Sequence, residues 1–236
     1  MALILTGFTS KIGKAILKKY IHEGKLVYCL GRKDEDFAGE DIDLNLKKFF
    51  SLDFSSNSFE LNLENIFNQI NDQGIEHIIH AAANSGERQI IKNLEYKDIN
   101  KLITINYLNS VWFMKKSCDL LSDKSLSQNK SFIYISTQLA KYMGPRLSIY
   151  SSSKAAMNNL CRSLSHEYGP NGVRINIISP GIVSDDPYDK KINISNLNIP
   201  LSRLATPDDV VNAVDFINSQ KSCYINGINL DVNGGR

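Results

Sequence analysis

The sequence predicts a single α/β domain, a doubly wound parallel sheet of seven strands with helices on both faces. Short β-branched or apolar runs alternate with segments of helical period along all 236 residues, which is the pattern of βαβ units feeding a parallel sheet. No Pro-, Gly- or Ser-rich stretch resembles a linker, and no internal repeat suggests a solenoid or propeller. A domain of this length buries roughly 70 to 75% of its unfolded surface, so it needs neither disulfides nor metals to hold a core.

The strands are expected at Ala2 to Leu5, Leu26 to Leu30, Lys48 to Leu52, His77 to His80, Phe132 to Ile135, Arg174 to Ile178 and Ile228 to Val232. Between the first two, Ile12, Ala15, Ile16 and Lys19 recur at helical spacing; before the fourth, Leu63, Ile66, Phe67 and Ile70 do the same. Longer helices are predicted over Asp98 to Leu121 and Tyr150 to Tyr168. Thr206-Pro207-Asp208-Asp209 reads as a helix start, with Thr206 as N-cap, proline in the first turn and two acids at the positive end of the dipole. That helix should run to Asn218.

Composition narrows the function. Net charge is +2 with basic residues spread along the chain, so there is no concentrated footprint for nucleic acid. No apolar run approaches the roughly 20 residues of a membrane span, and Met1 leads into an apolar stretch too short for a signal-peptide core. A soluble cytoplasmic protein is expected. Cys29, Cys118, Cys161 and Cys223 form neither a CxxC pair nor a metal-ligand spacing with His, so reduced thiols and no metal are expected.

Doubly wound sheets bind ligands beyond the carboxyl ends of their strands. After the first strand, Gly7, Thr9, Ser10, Lys11, Ile12 and Gly13 form a turn that leads directly into a helix. Backbone N–H groups in such a turn can hold a pyrophosphate, with Gly7 for the turn, Gly13 for close helix packing, and Thr9 and Ser10 as hydroxyl donors. Asp53, followed by Phe54, can accept from an adenine amino group, or can cap a turn. Ala81, Ala82 and Ala83 leave room for the adenosine ribose. After the second strand come Arg32 and Lys33, which favour a 2′-phosphate and hence NADP(H) over NAD(H), although Asp34, Glu35 and Asp36 partly offset them.

Tyr150 and Lys154 are four apart on a predicted helix, with Cβ atoms about 5–6 Å apart. A cation about 6 Å away at an effective dielectric near 20 favours a phenolate by roughly 3 kcal/mol before desolvation, enough to make Tyr150 a useful general acid or base. The ammonium could also bond the nicotinamide ribose. Thr137, thirteen positions before Tyr150 and beside Ser136, can orient a substrate carbonyl. Asn106 within the long helix can hold a water as part of a proton relay; a solvent-facing Asn is the alternative.

Together these residues resemble the short-chain dehydrogenase/reductase family, specifically its single-domain, Rossmann-type branch. The match extends through Arg174 to Gly181, Pro200 to Pro207, Ile225-Asn226-Gly227 and Val232-Asn233-Gly234-Gly235. The last pattern is especially similar to 3-oxoacyl-carrier-protein reductases. The resemblance implies that Tyr150 exchanges a proton with a carbonyl or alcohol while nicotinamide carries hydride, that Lys154 modulates it, and that Thr137 and Asn106 orient substrate and relay protons. It places Pro180, Gly181 and Val183 against the nicotinamide. It also implies a homotetramer or homodimer packed through the helices carrying Asn106 and Tyr150.

Four features depart from that pattern. Lys11 replaces a glycine and would be strained if it needed positive φ. His80-Ala81-Ala82-Ala83 replaces an asparagine-rich turn whose bonds between strands must be made otherwise. Asp185 replaces a Thr that contacts the carboxamide in many relatives. The orienting hydroxyl, Thr137, is more usually Ser. Ser184 to Ile199, with Asp185, Asp186, Tyr188, Asp189, Lys190 and Lys191, reads as a polar lid suited to a small polar or phosphate-bearing substrate. A non-catalytic NADP(H) sensor or scaffold, or a reductase of a sugar or surface-polysaccharide pathway, are the alternative readings.

Overall fold

Seven runs become seven parallel strands: β1 (Ala2–Thr6), β2 (Leu26–Gly31), β3 (Lys47–Ser51), β4 (Ile75–His80), β5 (Lys130–Ile135), β6 (Val173–Pro180) and β7 (Asn229–Val232). They lie in the order β3-β2-β1-β4-β5-β6-β7, so the chain reverses direction across the sheet between β1 and β4. The computed structural model describes residues 2–34, 42–70, 74–122, 129–142, 144–190 and 192–236; Glu35, Asp36 and Lys191 lie outside them.

Helices cover both faces. On one, α1 (Lys11–His22) and α6 (Pro207–Asn218) bury Ile16, Leu17, Tyr20, Val210, Val214 and Ile217 against Leu3, Leu5, Ile79 and Ile178. On the other, α2 (Phe59–Ile70), α4 (Asn109–Leu121) and α5 (Ser148–Tyr168) bury Leu63, Phe67, Phe113, Met114, Met157 and Cys161 against Ile4, Ile78, Phe132 and Ile177. Alternate residues of each central strand feed the two cores, as the period of two requires.

The helix expected from Asp98 to Leu121 is interrupted. It divides into α3 (Tyr96–Ile103), a π-helical turn at Thr104–Leu108 and α4. Asn106 sits in the interruption, and π-turns tend to mark functional positions.

The carboxyl-terminal motifs turn out to be a latch. Asn226 accepts from the Ile175 amide and donates to the Ser165 carbonyl, while Asn176 donates to the Ile225 carbonyl and accepts from the Ile228 amide. Thr206 and Asp209 form a reciprocal capping box at α6, and Arg203 grips Asp209 with two bonds of 2.6 and 2.8 Å. Cys29, Cys118 and Cys161 are buried free thiols, whereas Cys223 is exposed. No helix among the described residues is long and apolar enough to cross a membrane.

Candidate active site

The turn after β1 can be built only around glycine. Gly7 has φ +70°, and a Cβ there would fall 2.5 Å from the Ala81 carbonyl carbon. At Gly13 a Cβ would fall 2.1 Å from the Gly7 carbonyl oxygen, so that glycine lets α1 start tight against the strand end. Ser10 caps α1: its Oγ accepts from the Gly13 amide at 3.1 Å and donates to the Gly7 carbonyl at 2.8 Å. The Ser10 proton is therefore spent inside the turn, which corrects its expected role as a free donor. Thr9 remains exposed.

Lys11 opens α1 and is absent from the positive-φ residues, so the feared strain does not arise. Its Nζ lies 2.5 Å from Asp185 Oδ2, 174 residues away. Two departures from the family pattern thus answer each other across the cleft.

At the end of β2, Arg32 and Lys33 are exposed. Lys47 on β3 binds the Asp34 carboxylate, which offsets the acid nearest to them. A cavity of ≈ 600 Å³ is lined by Gly7, Thr9, Gly31, Arg32, Lys33 and Asp53. A second, of ≈ 290 Å³, continues along Ser10, Asp53, Ser55, Ala81 to Asn84, Lys101 and Ile105. Asp53 Oδ1 accepts from the Ser55 amide and hydroxyl, both at 2.8 Å, so this carboxylate caps a turn with one oxygen and leaves the other. The Phe54 ring is turned into the core, 5.2 Å from the His80 ring; only its backbone can serve a ligand. Asn84, Lys101 and Ile105 line the same cavity and were not anticipated, although Lys101 and Ile105 share a face at i,i+4. A cradle that a Cβ would fill, a basic mouth and an apolar floor fit an adenine dinucleotide.

At the chemical end, α5 begins at Ser148, placing Tyr150 in its first turn and Lys154 one turn on. Lys154 is 2% exposed; its Nζ donates to the Ile135 carbonyl at 2.8 Å and lies 4.4 Å from the centre of the Tyr134 ring. Burial pulls its pKa down to about 7. Burial also pushes the Tyr150 phenol up, with no compensating contribution from Lys154. The ammonium's attraction alone predicts the opposite shift; desolvation outweighs it, and the ammonium bonds the end of β5 instead.

Thr137 follows β5 by two residues and is half-buried; its Oγ1 accepts from the Leu139 amide at 3.3 Å, leaving its proton available. Ser136 is buried with an unpartnered hydroxyl, and Gln138 is buried with an unpartnered Oε1. That oxygen lies 3.4 Å from where a Gly181 Cβ would stand. Pro180 ends β6, the Gly181 amide donates to Val232, and Val183 bridges to Ala205. Asn106 is 1% exposed, and its amide is taken by Asn84: Oδ1 accepts from the Asn84 amide at 2.8 Å and Nδ2 donates to its carbonyl at 2.7 Å. The solvent-facing alternative is excluded; two of the amide's bonds go to the Asn84 backbone, leaving one Nδ2 hydrogen and one Oδ1 lone pair.

A family model described as enoyl-(acyl carrier protein) reductase matches residues 7–236. The chain belongs to the short-chain dehydrogenase/reductase family. It is an oxidoreductase fold of the class that acts on CH–OH and C=O groups with nicotinamide dinucleotides. A 3-oxoacyl-[acyl-carrier-protein] reductase of Buchnera aphidicola subsp. Acyrthosiphon pisum is 29% identical over 246 residues, covering 98% of this chain and 95% of the relative. A 3alpha-hydroxysteroid dehydrogenase of Mediterraneibacter gnavus is 27% identical over 241 residues, covering 98% and 94%. The crystal structure of a short-chain dehydrogenase from Leptospira borgpetersenii with bound NAD+ superposes with a TM-score of 0.86 at 20% identity, covering 99% of this chain and 91% of that one.

Proposed function

We propose that this member of the family is an NADP(H)-dependent carbonyl reductase or alcohol dehydrogenase in which Tyr150 exchanges the proton. Two observations support the reading: the cavity with a basic mouth after β1 and β2, and the buried Lys154, one helical turn from Tyr150, bonded to the carboxyl end of β5. Gly7, Thr9, Ile12 and Gly13 would present the turn and the helix start to the pyrophosphate, and Lys11 adds a cation there. Arg32 and Lys33 would meet the 2′-phosphate. The free oxygen of Asp53 and the backbone of Phe54 would face the adenine, Ala81 to Ala83 the adenosine ribose, and Pro180, Gly181 and Val183 the nicotinamide. A nicotinamide dinucleotide bound there supplies or accepts the hydride.

The chain's own residues handle the proton. Thr137 donates to the substrate oxygen and holds it toward Tyr150. Burial keeps the Tyr150 phenol protonated at neutral pH, which is the form that reduction of a carbonyl consumes. Lys154, with its pKa near 7, can return a proton to the phenolate at little cost. Asn106 sets the position of the loop at Asn84 beside this path. The lid from Ser184 to Ile199 presents Asp186, Tyr188 and Lys190 to solvent, which favours a small polar or phosphate-bearing substrate, including those of sugar pathways. Tyr96 on α3 and Leu108 at the end of the π-turn are exposed, as a homodimer or homotetramer packed there would need.

A panel of ketones, acyl thioesters and keto-sugars, followed by NADPH absorbance, tests the proposal. Turnover of at least one class, with NADPH favoured over NADH, is expected. Tight NADPH binding with no turnover across the panel would instead favour a sensor.

A further inference from the structure

His80 is buried completely. It stands at the end of β4 inside an aromatic cage, its ring centre 4.9 Å from Phe113, 5.2 Å from Phe54 and 5.7 Å from Tyr134. Both ring nitrogens are nevertheless satisfied. Nδ1 lies 2.7 Å from Thr6 Oγ1 and Nε2 lies 2.9 Å from Ser110 Oγ. Beyond these, the Ala82 amide donates to Thr6 Oγ1 at 3.1 Å, and Ser110 Oγ donates to the Ile105 carbonyl at 2.9 Å.

The two ends fix every proton between them. A backbone carbonyl can only accept, so the single Ser110 proton goes to Ile105 and Ser110 must accept from His80 Nε2–H. The neutral ring then carries its lone pair on Nδ1, which accepts from the Thr6 hydroxyl, and Thr6 accepts from the Ala82 amide. One tautomer satisfies the whole chain. Protonation would add a charge inside a cage that holds no carboxylate, with Lys154 as the nearby cation.

The chain joins two pieces of the site. Ala82 lies in the segment that floors the ≈ 290 Å³ cavity, and Ile105 lies in the π-turn that carries Asn106. Asn106 ties the same pieces together at Asn84. Ser110 reaches back five residues to Ile105, the spacing of a π-turn. Without that bond the segment can relax toward ordinary i→i−4 pairing, which turns Asn106 about 100° around the helix axis.

We propose that His80 is a positioning residue that, as one fixed tautomer, sets the π-turn bearing Asn106 against the backbone floor of the cofactor cavity. Its link to cofactor binding rests on the function proposed above; the link to the π-turn does not. Nitrogen-15 NMR of the unliganded protein should find Nε2 protonated and Nδ1 bare, and Ser110→Ala should raise amide exchange at Ala82 and Asn84 by about tenfold or more. Thr6→Val should do the same, and the double variant should be no worse than either single one, because all act through one chain. His80→Gln, which retains a donor for Ser110, should recover more protection than His80→Leu. A protonated Nδ1, unchanged exchange in Ser110→Ala, or additive effects would overturn the proposal. NADPH affinity should fall alike in the single variants. If the native protein bound neither NADPH nor NADH, the functional reading would fail while the exchange data still decided the role of His80.

Discussion

Lowering the pH from 7 to 5.5 should remove about 2.5 kcal/mol of folding stability through two histidines. His80 is caged as described, and burial holds its pKa well below the ordinary 6.5. His77 is 1% exposed, lies 3.0 Å from Ser131 through Nδ1, and burial lowers its pKa to about 3. Ser131 donates to Asn218, so His77 must donate from Nδ1, and its Nε2 is buried without a partner. In the unfolded chain both rings take up a proton near pH 6.5. Below that pH the unfolded state binds more protons than the native state, so stability is full above 6.5 and falls as the solution is acidified. The limiting slope is about 1.4 kcal/mol per pH unit for each ring, which integrates to about 1.3 kcal/mol apiece over this interval. The other two histidines, His22 and His166, are exposed. Urea unfolding at constant ionic strength across the interval reads the slope directly. His77→Asn keeps a donor for Ser131 but cannot titrate, and should halve it. A flat profile, or stability that rises on acidification, would refute the reasoning.

Other consequences follow from the same contacts. Gly7→Ala should cost about 2 kcal/mol or more and abolish dinucleotide binding, since it combines a left-handed backbone with a clash against Ala81; thermal melts and a fluorescence titration check both. Arg32→Asp should weaken NADPH while sparing NADH, and equal affinities before and after would remove the 2′-phosphate argument. Asp209→Asn should destabilise by about 1 to 2 kcal/mol by loosening the α6 cap and the Arg203 fork. Arg203 holds the Asp209 carboxyl well below its ordinary value, so this stabilisation is present above that value and is lost on strong acidification. The Lys11 to Asp185 pair is more than half exposed and should add little stability. Lys11→Ala should instead weaken NADPH binding and flatten its salt dependence.

The fold was legible because its signals are local. Each strand run and each apolar stripe lies within a few residues, and Thr206 with Asp209 announces a helix start without any distant partner. The site was legible only where backbone geometry decides, as at Gly7 and Gly13. Contacts that needed the folded chain were not. Lys154 is four residues from Tyr150 in sequence, yet its bond goes to Ile135, and burial of the Tyr150 phenol outweighs the shift expected from charge alone. The amide of Asn106 finds Asn84, and the hydroxyl of Ser10 turns back on Gly7. Lys11 and Asp185 each looked like a defect because the ion pair that joins them spans most of the chain. His80 gave a usable signal, an imidazole closing an apolar strand before three alanines, but its partners on β1 and α4 could be named only once the strands were paired.

The central claim is that Tyr150 is the proton-exchanging group of an NADP(H)-dependent oxidoreductase. Single-turnover oxidation of bound NADPH by an accepted carbonyl substrate, compared between the native protein and Tyr150→Phe, tests it most directly. The account predicts a loss of at least about a hundredfold in rate with NADPH affinity unchanged. A variant that turned over at the native rate would contradict it.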